Sequence, residues 1–466
     1  MTERAQGEPR FPLLARAYAP LVALLLTALL TALVRRPLRA FDTYFHLRFG
    51  EEFRRDWSIA HPGQLSSAST NDWVPTQWLS QVALARIDDS SGTTGLVLAF
   101  AAVVVAFVAA TYLLLRRHAG PGIAITLTVV VVLGCLPSLS LRPQLLSYLF
   151  LVAVLAAWDG ARTTGRPPWA LIPLGWLWAT CHGMWLIGVA ACGLLAVLVV
   201  VERRPRRTGA LALLAVPAGM LLAALVTPVG PRLLTAVLLV NSRADYFAEW
   251  AAPELITVAA APVTVLAAAA VLLLVRRTDV RPYDLGLLAM GGAFALYSDR
   301  TVPLALVTLA AVVAPGLSRW SAHRPVARTE LAVALGLAAV VIAVAPNQGL
   351  VDDSADRVRP FTARLDALPA GTRVLTDWPV GGVLLRLDPG LDIPLHGYGD
   401  VYTDAELERY ADLDHLEPGW DRTLAALAPG AALLPNDAPL AYALERDGWS
   451  VEQRTEELVL LAPPAS

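Results

Sequence analysis

Long apolar runs recur along this chain, and they restrict its fold more than any other feature. Crossing about 30 Å of hydrocarbon takes about 20 mostly apolar residues in a helix. Runs near that length, some shorter, occur at 17–34, 94–115, 122–140, 144–158, 169–182, 184–201, 209–226, 256–275, 284–298, 301–317 and 330–346. Composition agrees: 56% of the 466 residues are hydrophobic and 16% charged, against roughly 45–50% and 25% in soluble domains. The expected fold is an α-helical polytopic membrane protein with about eleven transmembrane helices. A further run, Leu233–Val240, is too brief to span and reads as re-entrant or interfacial.

Arginine placement orients the map, because short cytoplasmic loops collect positive charge. With the N-terminus inside, the predicted inner segments hold seventeen arginines, each segment at least two. The outer connections beyond the first loop hold only Arg142, Arg232, Arg243 and Arg300. This predicts a multi-pass membrane protein, N-terminus cytoplasmic and C-terminus extracytoplasmic. Residues 1–346 form the multi-spanning domain, with a long first outer loop at 35–93. Residues 347–466 form an extracytoplasmic tail. The run from Ala17 to Val34 follows a polar start and is long enough to remain as an anchor.

Some functions are excluded early. The net charge of −2 and the lack of a basic block argue against nucleic acid as a partner. All 37 basic residues are arginine, so neither a Schiff-base nor a P-loop lysine exists. The cysteines Cys135, Cys181 and Cys192 fall in or beside apolar blocks, which favours neither a disulfide nor a zinc knuckle. The tail alternates short apolar runs (Arg373–Thr376, Ile393–His396, Ala431–Leu434, Leu458–Leu461) with helix-like stretches at Asp404–Tyr410 and Pro439–Arg446. That alternation predicts a small α/β domain. It carries no glycine-rich nucleotide signature. Asp377-Trp378 with Gly381-Gly382 reads as a turn between strand and helix.

Ionisable residues near membrane depth are costly and therefore candidates for function. In the first loop Phe41, Phe45, Phe49 and Phe53 are spaced by four, one stripe of a helix. The expected element is an interfacial helix with its aromatic stripe against the bilayer. Asp42 and His46 form the neighbouring stripe. Asp42 reads either as the helix N-cap or as a functional carboxylate; His46 reads as an interfacial amphipath or a ligand contact. Further polar features fall at the outer helix ends: Arg142-Pro143-Gln144, Cys181-His182-Gly183, Thr227-Pro228-Val229-Gly230, Asn241 to Asp245 with Glu249-Trp250, and Ser298-Asp299-Arg300. Arginines there either snorkel or hold a phosphate bidentately, and Asp299 beside Arg300 suggests a local ion pair. His182 reads as a satisfied structural histidine or a site residue. The thirteen tryptophans suit an interface belt.

These residues carry a resemblance. Asp42-Thr43-x-x-His46-Leu47-Arg48-x-Gly50 follows the first membrane helix, and Trp78-Leu79 precedes the second. With Arg142-Pro143-Gln144, Trp178-x-x-x-His182-Gly183, Thr227-Pro228-Val229-Gly230 and Asp377-Trp378-x-x-Gly381-Gly382, they look like a bacterial membrane family related to the GT-C glycosyltransferases. The resemblance implies a GT-C-like fold and inverting transfer of a sugar from a polyprenyl-phosphate donor to a glycan, lipid or protein acceptor on the outer face. The position matching the family's loop aspartate or glutamate is Asp42, as base. The other implied site residues are Tyr44, His46, Arg48, Trp78, Arg142, Gln144, His182, Arg243 and Arg300. Relatives often have a glutamate before the Trp-Leu pair where this chain has Gln77, so no metal ligand is assigned and a divalent metal is left open. Two rival functions stay in view: a transporter of lipid-linked glycans, and a non-catalytic scaffold for envelope assembly.

Overall fold

Each of the eleven apolar runs is helical in the computed structural model, which describes residues 12–36, 41–241, 248–318, 325–346 and 353–464. The membrane part comprises α1 (Pro12–Val34), α2 (Asp42–Arg55), α3 (Trp78–Arg116), α4 (Pro121–Cys135), α5 (Gln144–Thr164), α6 (Leu171–Cys181) and α7 (Trp185–Arg203). It continues with α8 (Arg207–Leu225), α9 (Arg232–Asn241), α10 (Ala261–Val275), α11 (Pro282–Tyr297), α12 (Val302–Leu317) and α13 (Arg328–Val344). Among the described residues, seven helices are long and apolar enough to cross a membrane: α1, α3, α4, α5, α7, α8 and α12. The expected count of eleven is therefore reached in helices but not in full-length spans. The other four fall short: α6 has 11 residues, α10 15, α11 16 and α13 17. At 1.5 Å per residue α6 extends only about 16 Å. The brief run near 233–240 lies in the 10-residue helix α9.

The 39-residue helix α3 is two helices in one. Gly92 adopts φ 57°, ψ −157° and breaks the helix there, a conformation that only glycine takes without steric cost. The part before the break carries Asp88 and Asp89; the part after it is apolar to its last turn. The polar stalk and the membrane segment thus share one continuous stretch of chain.

The tail contains α14 (Asp353–Val358), α15 (Thr362–Leu365), β1 (Val374–Thr376), α16 (Trp378–Leu387), α17 (Asp404–His415), α18 (Trp420–Leu427), β2 (Ala431–Pro435), α19 (Pro439–Arg446), β3 (Ser450–Arg454) and β4 (Leu458–Ala462). Its sheet has the order β1-β2-β4-β3. β1 pairs parallel with β2, whereas β4 is antiparallel to both β2 and β3, so the small domain has a mixed sheet. The expected strand at Ile393–His396 is not formed; only an isolated bridge joins Arg373 to Asp392. The polar edge strand β3 gave no apolar signal to find it by. Asp377 caps α16 by accepting from the Val380 N–H at 2.8 Å, and Gly381 and Gly382 lie inside that helix rather than in a turn. A Cβ on Gly381 would stand 1.7 Å from the Leu395 carbonyl oxygen. Close packing, not chain reversal, requires that glycine.

Two apolar cores result. One fills the bundle around Val104, Phe107, Leu151, Trp158, Trp178 and Leu306. The other is the tail's core, and it takes in Tyr44, Phe45 and Phe49 of α2 together with Trp73. The phenylalanine stripe therefore does not lie on the bilayer. Phe49 meets the Trp73 ring edge-on at 5.2 Å and Tyr398 at 4.7 Å; such aromatic pairs contribute about 0.5–1.5 kcal/mol each beyond area burial. Four-residue spacing reports that a face is covered by apolar material, and protein served here instead of lipid. On its other side α2 lies hard against α3: a Cβ on Gly50 would sit 2.0 Å from the Gln81 carbonyl oxygen. Helix α2 is clamped between bundle and tail.

Candidate active site

A cavity of about 570 Å³ opens where the clamped helix α2, the ends of the bundle helices and the tail meet. Asp42 and His46 enter it from α2 because positions four apart share a helix face. Arg142 and Gln144 come from the joint between α4 and α5, His182 from the joint between α6 and α7, and Arg300 from the joint between α11 and α12. Glu249 and Trp250 enter from the connection that precedes α10. The tail closes the cavity with Trp378 and the loop Gly397-Tyr398-Gly399-Asp400.

One charge network spans these elements. Arg142 Nε lies 3.0 Å from Asp42 Oδ2, and Arg142 Nη1 donates to Glu249 Oε1. Arg300 Nε donates to Glu249 Oε2 at 2.9 Å, and its guanidinium stands over the Trp250 ring, 5.4 Å from the centroid. Two carboxylates and two guanidiniums thus alternate along one wall. The expected ion pair of Arg300 with Asp299 gives way to Glu249, which comes from another loop. Asp42 is not the helix cap either: Phe41 holds the N-cap position, with no side-chain cap bond. Asp42 is the first helical residue, and its carboxylate faces Arg142.

Electrostatics separate the two acids. Burial pushes the Asp42 carboxyl above its ordinary value, with Arg142 pulling the other way. For Glu249 burial also raises the pKa, but Arg300 and Arg142 together outweigh it and the net direction is down. Burial, with the arginine charges, holds the His46 imidazole well below its usual range, hence neutral. Gln81 Nε2 lies 3.2 Å from His46 Nδ1. His182 is oriented by a relay: Trp178 Nε1 donates to Ser147 Oγ at 2.7 Å, and Ser147 Oγ is 2.9 Å from His182 Nδ1.

Other expected site residues are elsewhere. Tyr44 is buried in the tail-facing core. Arg48 pairs with Glu52 at 2.9 Å and with Glu51 on its own helix. Trp78 packs against the bundle core. None of these three lines the cavity. The physical reason is helix phase: at 100° per residue Tyr44 and Arg48 point away from the face shared by Asp42 and His46. Arg243 lies outside the described residues. Glu249 is the residue sequence reading left out of the site; its two arginine partners are 107 and 51 positions away. Among the described residues no group of three histidine, cysteine or acidic side chains could hold a metal ion.

No protein-family model matches the chain, and no curated protein does. Among solved structures the chain is similar to the cryo-EM structure of the arabinofuranosyltransferase AftD from Mycobacteria, with a TM-score of 0.50 and 16% identity. The match covers 97% of this chain and 40% of that one, so this chain spans less than half the length of that protein. At that identity the likeness is one of fold. The chain is a polytopic helical membrane protein whose fold is similar to that of this arabinofuranosyltransferase.

Proposed function

We propose that this protein is an inverting membrane glycosyltransferase that takes a sugar from a polyprenyl-phosphate donor. The observation that carries the reading is the convergence of a buried carboxylate with raised proton affinity and two guanidiniums on one cavity. Such a reaction needs both. The acceptor hydroxyl attacks the anomeric carbon from the face opposite the phosphate; the new C–O bond forms as the bond to the phosphate oxygen breaks. The hydroxyl proton passes to Asp42, a general base. The phosphate leaves as an anion, stabilised by the fixed guanidiniums of Arg142 and Arg300. Asp42 suits the base role better than Glu249, whose affinity for a proton the two arginines reduce. His46, Gln144 and His182 line the sugar's space. Trp378, Tyr398 and Asp400 would steer the acceptor, which gives the tail a role without chemistry of its own. The arginine bias of the opposite helix ends supports an extracytoplasmic position for this cavity.

The decisive variant is Asp42→Asn. Asn keeps the shape but cannot take a proton, so turnover should fall by about 10²–10⁴-fold while the melting temperature and donor affinity stay near wild type. Normal turnover in a folded Asp42→Asn protein removes Asp42 as base. The same assay separates the rivals: a transporter or scaffold would form no glycosidic bond in detergent with either protein.

A further inference from the structure

The network has an internal competitor for the donor. Each oxygen of the Glu249 carboxylate takes one guanidinium, Oε1 from Arg142 and Oε2 from Arg300. A phosphate offers the same thing, anionic oxygens that bridge two guanidinium forks. Both arginines have limited alternatives. Arg142 is already joined to Asp42 on its Nε side, and Arg300 is confined between Glu249 and the Trp250 ring. A phosphate that used both guanidiniums at full strength would meet the Glu249 carboxylate as a like charge on the same donors. The Glu249 side chain has room to leave: it is 43% exposed, against 15% for Arg142, and it borders the cavity. Its segment is short, a single 3-10 turn at Ala248–Trp250, tied to the next joint by the Asp299 N–H donating to the Ala251 carbonyl at 3.1 Å.

We infer that Glu249 is a tethered stand-in for the donor phosphate, holding Arg142 and Arg300 in place and yielding them when the phosphate binds. This rests on the reading above that the two arginines receive the donor phosphate. Two consequences follow. The guanidiniums stay preorganised between turnovers, since Glu249 neutralises a repulsion that would otherwise drive them apart. Donor affinity is also set below what the arginines alone would give, because binding must displace a carboxylate. A moderate affinity favours release of the phosphate product, which is an anion of the same kind.

The test is binding to the full chain in detergent micelles, with farnesyl phosphate and inorganic phosphate as probes. Glu249→Gln keeps the side chain's size and one acceptor oxygen but removes the competing charge; it should bind farnesyl phosphate about tenfold more tightly than wild type, ~1.4 kcal/mol. Asp299→Asn is the control, since it removes a neighbouring charge without freeing either guanidinium, and it should change affinity far less. Equal tightening in both variants would reduce the effect to net charge and overturn the inference. So would unchanged or weaker binding by Glu249→Gln with an unaltered melting temperature. Arg142→Ala and Arg300→Ala separate the two levels of the argument: weaker binding in both keeps the phosphate seat whatever Glu249 does, and unchanged binding removes the seat and this inference with it. Farnesyl phosphate should bind more tightly than inorganic phosphate; equal affinities would overturn a lipid source for the anion.

Discussion

The two ends of the helical bundle use the same side chains to opposite effect. At the end bearing the arginine-rich connections, Arg162 pairs with Glu202 at 2.9 Å and Asp284 at 3.5 Å, and its guanidinium covers the Tyr283 ring at 4.6 Å. Arg277 and Arg281 complete that cluster on Asp284 and Glu202, while Asp159 takes His118 at 3.0 Å. The space beside it is about 20 Å³, room for little more than one water. At the tail-bearing end, Asp42, Arg142, Glu249 and Arg300 make a comparable network beside about 570 Å³. Ion pairing between helix ends is therefore structural by default. What marks a site is pairing next to unfilled volume, where an incoming group can take over one partner.

The comparison predicts four results, from the largest effect down. Orientation is all or none: a reporter active only outside the cytoplasm, fused after Ser466, should be fully active. Activity of a cytoplasmic reporter instead would exchange the ends and take the lipid-donor site off the outer face. The next is Asp42→Asn, with its expected loss of turnover. Below that stands Gly50→Ala. Its Cβ cannot fit against Gln81 without pushing α2 off α3, and a displacement near 1 Å at a site can cost about 10²-fold in rate. Turnover should fall although no cavity residue has changed; an unaltered rate would mean that α2 need not be held rigidly. The smallest effect on function belongs to Arg162→Ala. Breaking that largely buried cluster should lower stability by roughly 3–5 kcal/mol, read as an earlier thermal transition, with phosphate affinity unchanged. Altered phosphate binding there would abolish the distinction between the two ends.

The sequence made the helices legible because apolar runs and arginine-marked joints are local signals, and all eleven runs are helical. It also grouped Asp42, His46, Arg142, Gln144, His182 and Arg300 at one end, where all six line the cavity. Three failures have distinct causes. The phenylalanine stripe was assigned to lipid because helical periodicity is blind to what covers a face; the tail core covers it. Tyr44 and Arg48 were included by proximity in a motif, although rotation about α2 turns them away. Glu249 is visible as an outer polar feature but has no site role in the sequence, because its meaning lies in partners from two distant joints, and no local pattern encodes a separation of that length. Gly381 shows the same limit: its need for contact with Leu395 is a property of the folded pair.

The wall that the tail supplies has a consequence for the order of events during synthesis. Asp42 emerges near the start of the chain, whereas Tyr398 and Asp400 follow after more than three quarters of it has been made. Chains lengthen at about 5–20 residues per second, so the carboxylate is made many seconds before the last wall. Until then Phe45 and Phe49 lack Tyr398, and Phe49 has only Trp57 and Trp73 of the first loop beside it. The cavity is incomplete in that interval. Docking of the tail closes the cavity wall and completes the cover over α2 in one step.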